Sequence, residues 1–369
     1  MSTLDSQVEE KRKEIHTDAY PMSIGEVINL YTDGDLDIHP EFQRIYRWNE
    51  VQKSRLIESI LLGIPLPSFF VAQQENGVWD VVDGLQRLST IFSFLGIYKN
   101  EDGDLQPPLR LTATEYLPEL EGKYWSDDFN NNCLSKELQR SFKREKIDLK
   151  IIKKESDEHT KYELFQRLNT FGSSLSDQEV RNCLLIMINK TMYDWLNVLA
   201  EDENFSNVFP LTNKQKDEQY HTELVLRFLS LKDVPIERVR GGIDIGEFIT
   251  KRMREIAADS NFDMAAEGEK LRKTFRILNT ALGENAFKKY QGGRYLGAFS
   301  LSIFEVIGLG LGFNIDSYSE TNPSHLVKIR EVSEGLLDNP EFVRNSGSGA
   351  RASSRLPHIL PMGREMLSL

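Results

Sequence analysis

Apolar residues recur at helical spacing from Ile24 through Val27, Ile28 and Tyr31 behind Ser23, which can cap the helix, and Asp33-Gly34 then turns the chain. Asn49, with Gln52 three residues on, opens a second helix that places Leu56, Ile57, Ile60 and Leu61 on one face before Gly63 and Pro65 stop it. Two runs rich in Val and aromatics, Ser68 to Gln73 and Val78 to Val82, flank Glu75-Asn76-Gly77 and predict a β-hairpin. Asp83-Gly84 breaks the second strand, and Leu88, Ile91, Phe92 and Leu95 share a face of the helix that follows, from Leu85 to about Gly96. Asn100 to Pro108 reads as an inserted loop, since Pro107-Pro108 disfavours helix there. Ile147, Leu149 and Ile151 alternate with Lys146, Asp148 and Lys150, the period of a half-buried strand that closes the first domain. Beyond Glu155 the pattern is helical throughout, at Lys161–Leu168, Asp177–Leu199, Thr222–Leu231, Ile245–Asp259, Ala265–Leu282 and Leu301–Gly308.

At 369 residues the chain is long enough for two domains, and the patterning divides it into an N-terminal extension (1–20), an α+β domain (21–155) and an all-α domain (156–369). Lys and Arg total 45 against 57 Asp and Glu, a formal net charge of −12, so nucleic-acid binding would have to be local. One basic patch, Lys136 to Lys154, holds eight basic and three acidic residues. Another runs along the C-terminus, where Arg344, Arg351, Arg355 and Arg364 stand among Ser, Gly and Pro; it reads either as a DNA-backbone clamp or as a flexible solvated tail. The first twenty residues lack the apolar stretch of a signal peptide. The most apolar run, Leu301 to Phe313, is only 13 residues long and contains Glu305, too short to cross a bilayer. Cys133 and Cys183 are far apart and form no CxxC pair, so a cytoplasmic chain without membrane partners is expected.

Three segments concentrate chemistry. In Val81 to Thr90, Gly84 between strand and helix lets the backbone approach a ligand, the amides of the first turn attract an anion, and Arg87 can grip a phosphate with parallel hydrogen bonds. The same residues would equally serve as a plain cap, with Asp83 satisfying the helix amides and Arg87 solvated. Pro40 to Trp48 crowds amide, guanidinium and aromatic groups suited to stacking on a base, though Phe42, Tyr46 and Trp48 could instead pack the helix start. Phe165 to Glu179 contains the capping box Ser176/Glu179, which leaves Arg167 and Asn169 unexplained.

Taken in order, Phe42-Gln43-Arg44-Ile45-Tyr46-Arg47-Trp48, Gly63-Ile64-Pro65-Leu66-Pro67, Asp83-Gly84-Leu85-Gln86-Arg87-Leu88-Ser89-Thr90 and Phe165 to Glu179 resemble the N-terminal family of GmrSD-type restriction endonucleases. The resemblance covers roughly Met22 to Leu185, and Glu223 to Leu229 looks like the helix that often follows in stand-alone members. It implies a ParB/sulfiredoxin-like domain that binds an NTP, with Mg²⁺, and a component of a defence system acting on phage or modified DNA. By position it implies a nucleotide site made of Gln43, Arg44, Asp83, Gly84, Gln86, Arg87, Thr90, Arg167 and Asn169. Gly84 and Arg87 would contact phosphate, Asp83, Gln86 and Arg87 would carry any hydrolysis, and Tyr46 and Trp48 would stack on substrate or base. Leu85 departs from the family, which usually has Gln there, and this bears on hydrolysis more than on binding. Many relatives carry or pair with an HNH nuclease, whereas the six histidines here are isolated in sequence, so a separate nuclease or defence subunit is expected. A non-enzymatic nucleotide-gated DNA switch and a ParB-like nuclease are the alternatives; the base and homo-oligomerisation are left open.

Overall fold

Strong local signals build the first half of the chain. In this computed structural model residues 4, 17–38, 48–74, 76–100, 102–126, 132–153, 177–217, 219–347 and 351–369 are described. The chain divides into two units, Met1–Ser174 and Leu175–Leu369. The predicted helix Lys161–Leu168 lies outside the described residues, as does the 155/156 boundary.

The N-terminal unit is a five-stranded mixed sheet with helices, in the order β1-β5-β3-β4-β2. Its strands are β1 (Thr17–Ser23), β2 (Leu36–Asp37), β3 (Phe69–Gln73), β4 (Trp79–Asp83) and β5 (Lys146–Ile152). β1 is antiparallel to β5, β5 parallel to β3, β3 antiparallel to β4, and β4 parallel to β2. Helix α1 (Ile24–Asp33) starts at a full Ser23/Glu26 capping box. Helix α2 (Glu50–Leu61) starts at Asn49/Gln52, as the sequence predicts. Helix α3 (Leu85–Leu95) follows β4 after the single residue Gly84. Helix α4 (Lys136–Arg144), capped by Ser135, is an element that the sequence reading saw only as a charge patch. Phe69, Val71, Val81, Leu88, Phe92, Ile147 and Leu149 are buried and form the core between one sheet face and the helices. Buried Glu58 on α2 accepts the backbone N–H groups of Tyr116 and Leu117 at 3.0 and 3.1 Å, which anchors the long connection after α3.

One boundary moves. The sheet begins at Thr17, so residues 17–20, assigned by sequence to the extension, belong to the domain. β1 is an edge strand with five exposed positions in a row, and Pro21 is tolerated there because on an edge strand alternate N–H groups face away from the sheet and join no ladder. No apolar alternation marks such a strand.

The C-terminal unit is helical, with principal helices Asp177–Ala200, Tyr220–Leu231, Ile245–Ala258, Met264–Leu282 and Pro323–Gly335. It is not purely α: Lys289–Gln291 and Arg294–Leu296 pair as a small antiparallel hairpin. Gly292 and Gly293, at φ +60° and +78°, supply its two-residue turn. The apolar run continues past its predicted end as Leu301–Ile303, a π-turn Phe304–Gly308 and Leu309–Phe313. A further correction concerns the C-terminus, which is a helix, Ala352–Met366, and not a solvated tail. Leu356, Ile359 and Leu360 bury its inner face, Arg355 pairs with Glu305, and Arg364 donates to the Val234 carbonyl at 2.8 Å. Two of the four arginines set aside for DNA are therefore spent on packing. Among the described residues no helix is long and apolar enough to cross a membrane.

Candidate functional site

The turn from β4 into α3 is made by Gly84, at φ +102° and ψ 9°, left-handed backbone that suits glycine. The N-cap of α3 is Gly84 itself, which has no side chain to accept the amides of the first turn. The plain-cap alternative, with Asp83 satisfying those amides, is not what the fold adopts.

Asp83 instead meets Arg87 four residues on, Oδ2 to Nη2 at 3.0 Å. The same Nη2 donates to the Ser68 carbonyl at 3.2 Å, and Nη1 donates to the Pro67 carbonyl. The guanidinium lies over the Phe69 ring, with Cζ 4.2 Å from its centroid. Arg87 is only 11% exposed and Asp83 28%. Burial pushes the Asp83 carboxyl above its usual value, against the pull of Arg87 and the Gly84 amide. It also lowers Arg87, with Asp83 opposing. From sequence the Arg87 head group is expected to reach the ligand; here it bolts the 67–69 strand entry to the loop. Pro67, Ser68 and Phe69 were not among the sequence candidates, although Pro67 closes the quoted Gly63-to-Pro67 motif.

This geometry gives Arg87 a measurable structural role. Arg87→Ala is expected to destabilise the N-terminal unit by about 1.5 to 3 kcal/mol, the scale of lost charge-assisted hydrogen bonds. Arg87→Lys should recover only part of this, because an ammonium cannot fork between two carbonyls and a carboxylate. Denaturant unfolding measures it, and an unchanged midpoint in Arg87→Ala would refute the bolt.

The remaining candidates divide between described residues and those outside them. Gln86 is buried and accepts the Trp48 backbone N–H at 3.3 Å, which ties the start of α2 to the first turn of α3. Thr90 is buried, with its hydroxyl donating back to the Gln86 carbonyl at 2.6 Å. Leu85 is also buried, so its departure from the family's Gln places an apolar side chain in the core. Gln43, Arg44, Tyr46, Arg167 and Asn169 lie outside the described residues. Among the described residues of the loop the one carboxylate, Asp83, already holds a guanidinium at 3.0 Å, so they offer no ligand set for a resident Mg²⁺, and a Mg²⁺ ion would arrive on the phosphates of the nucleotide. No group of three or more His, Cys, Asp or Glu suited to a metal occurs among the described residues.

Outside the loop, Lys136, Arg140, Lys143 and Arg144 on α4 and Lys146 and Lys150 on β5 are all exposed, so the basic patch is a surface of the N-terminal unit.

The family model described as GmrSD restriction endonuclease, N-terminal domain, matches residues 24–186. The four motifs run in order within that stretch, and the resemblance read from them holds. No curated protein and no solved structure matches the chain.

Proposed function

We propose that this chain is a component of a DNA-restriction defence system, and that its N-terminal unit binds a nucleoside triphosphate, as the Mg²⁺ complex, at the Gly84–Arg87 turn and hydrolyses it. The carrying observation is the start of α3 at left-handed Gly84, a strand-to-helix turn whose N-cap brings no side chain of its own, so that the backbone and the positive helix end can approach phosphate oxygens. The family match supports the defence context, since its description is that of a restriction endonuclease's N-terminal domain. The exposed basic residues of α4 and β5 suit a DNA backbone, and a separate nuclease chain would do the cutting. A second reading, a nucleotide-gated switch that binds without turnover, is favoured by the engagement of both Asp83 and Arg87 with the loop itself.

Phosphate release from each NTP, with and without DNA, separates the two. Turnover that DNA stimulates is the expected result; tight binding without release establishes the switch, and no binding of any NTP overturns both. In the same incubations plasmid DNA is expected to stay uncut. Nicking that vanishes in Asp83→Ala would move nuclease activity into this domain.

A further inference from the structure

The small hairpin of the C-terminal unit breaks the charge pattern of the chain as well as its helical pattern. From Asn285 to Phe304 there are 20 residues without one acidic side chain, although 57 of the 369 residues are Asp or Glu. Lys288, Lys289 and Arg294 fall within that run. On a protein with a net charge of −12, a surface for a polyanion has to be local, and this ribbon is such a place.

The register sorts its side chains onto two faces. Tyr290 lies opposite Tyr295, flanked by Lys289 opposite Leu296 and by Gln291 opposite Arg294. Successive strand residues point to opposite faces, so the tyrosines share one face and the other four residues share the second. The two rings meet edge to face with centroids 4.9 Å apart. Tyr295 donates its hydroxyl to Ser333 Oγ at 3.3 Å, which fastens the tyrosine face to the helix Pro323–Gly335. Glu334 of that helix lies on the same side, near Tyr295.

The outward face is different. Lys289, Gln291, Arg294 and Leu296 are all exposed, as are Gly292 and Gly293 at the tip. Lys288 is held by Glu284 at 3.1 Å, whereas the side chains of Lys289 and Arg294 form no ion pair or hydrogen bond among the described residues. A protein interface is commonly anchored on buried aromatics, and here both tyrosines are turned toward the body of the unit. A two-stranded ribbon is instead a shape that the major groove of duplex DNA admits. Its outward chemistry matches that groove: a guanidinium can fork onto a guanine edge, an amide can pair with an adenine edge, and an ammonium suits a phosphate.

We propose that this hairpin is a DNA-binding ribbon, whose outward face lies in the major groove with Gln291 and Arg294 at base edges and Lys289 on a phosphate. The assignment rests on the reading of the chain as a DNA-directed defence component, and adds a contact surface in the helical unit.

Fluorescence anisotropy of the full chain with a labelled mixed-sequence duplex, titrated over a range of salt concentrations, tests it. The wild type should bind, with log K falling linearly as log salt rises. Arg294→Ala should weaken binding about 5- to 150-fold, the affinity equivalent of one lost base-edge contact. Lys289→Ala should weaken it less and reduce the salt slope by about 1, the mark of one lost phosphate contact. Both side chains are exposed, so melting temperatures should stay the same. Lys251→Ala, also exposed, on the helix Ile245–Ala258, controls for the loss of a charge alone and should change affinity and slope little. Arg294→Ala and Lys289→Ala chains that bind as Lys251→Ala does overturn the ribbon and leave the defence reading standing. Equal affinity of the wild type for a single strand of the same sequence also overturns it, because one strand offers no groove. A wild type that binds no duplex at low salt removes the ribbon together with the DNA-directed part of that reading.

Discussion

Replacing Arg355 by Met will destabilise the C-terminal unit by about 3 to 5 kcal/mol, the usual consequence of orphaning one member of a buried ion pair. Its partner Glu305 is 0% exposed, within the π-turn Phe304–Gly308. The carboxylate receives Arg355 Nε at 2.7 Å and Nη2 at 2.9 Å. Burial pushes the Glu305 carboxyl upward against the pull of Arg355, so without the guanidinium the proton is held more firmly still. The folded variant then binds a proton that the unfolded chain releases above about pH 4.3, so its stability falls as pH rises through the folded-state value. Denaturant melts of Arg355→Met should therefore show a larger deficit at pH 8 than at pH 5. Adding Glu305→Leu should recover most of the loss and abolish its pH dependence. A single variant as stable as the wild type at pH 8 would mean that Glu305 finds another partner.

The two halves of the chain differ in how much of this was legible beforehand. The Asn49/Gln52 capping box, the Asn76-Gly77 hairpin and the Gly84 break act within a few residues, and each element they predict is present. The Arg87 bolt was not legible, because its acceptors at Pro67 and Ser68 lie 20 and 19 residues upstream and become neighbours only once β3 and β4 pair. Arg355 shows the same limit at longer range: a cationic run reads as a tail until a glutamate 50 residues earlier is buried beside it. The placing of Phe70 beside Lys150 depends on parallel pairing between β3 and β5, strands that nearly eighty residues separate, and no local pattern encodes that register. The family resemblance crossed this gap for the motif residues alone. It says nothing about Phe69, whose ring carries the Arg87 guanidinium.

Gly84→Ala is expected to cost the N-terminal unit about 2 to 5 kcal/mol and to remove nucleotide binding with it. Two effects combine. An L-residue at φ +102° carries left-handed strain of roughly 1 to 2 kcal/mol. A Cβ at this position would also run into the Phe69 ring, and forcing extra volume into a packed site typically costs about 1 to 3 kcal/mol. Phe69 is fully buried and has the Arg87 guanidinium over its ring, so it cannot yield without pulling Arg87 off the Pro67 and Ser68 carbonyls. The damage therefore spreads from one methyl group to the whole turn that presents the amides of α3. Gly77→Ala is the control: Gly77 has a similar φ of +92°, but nothing lies within 4 Å of the added Cβ. That variant should show the strain alone, about 1 to 2 kcal/mol, with nucleotide affinity preserved. Thermal melts and calorimetry on the pair separate strain from collision. If Gly84→Ala is no less stable than Gly77→Ala, or still binds nucleotide as the wild type does, the close approach of turn and ring is not what shapes the site.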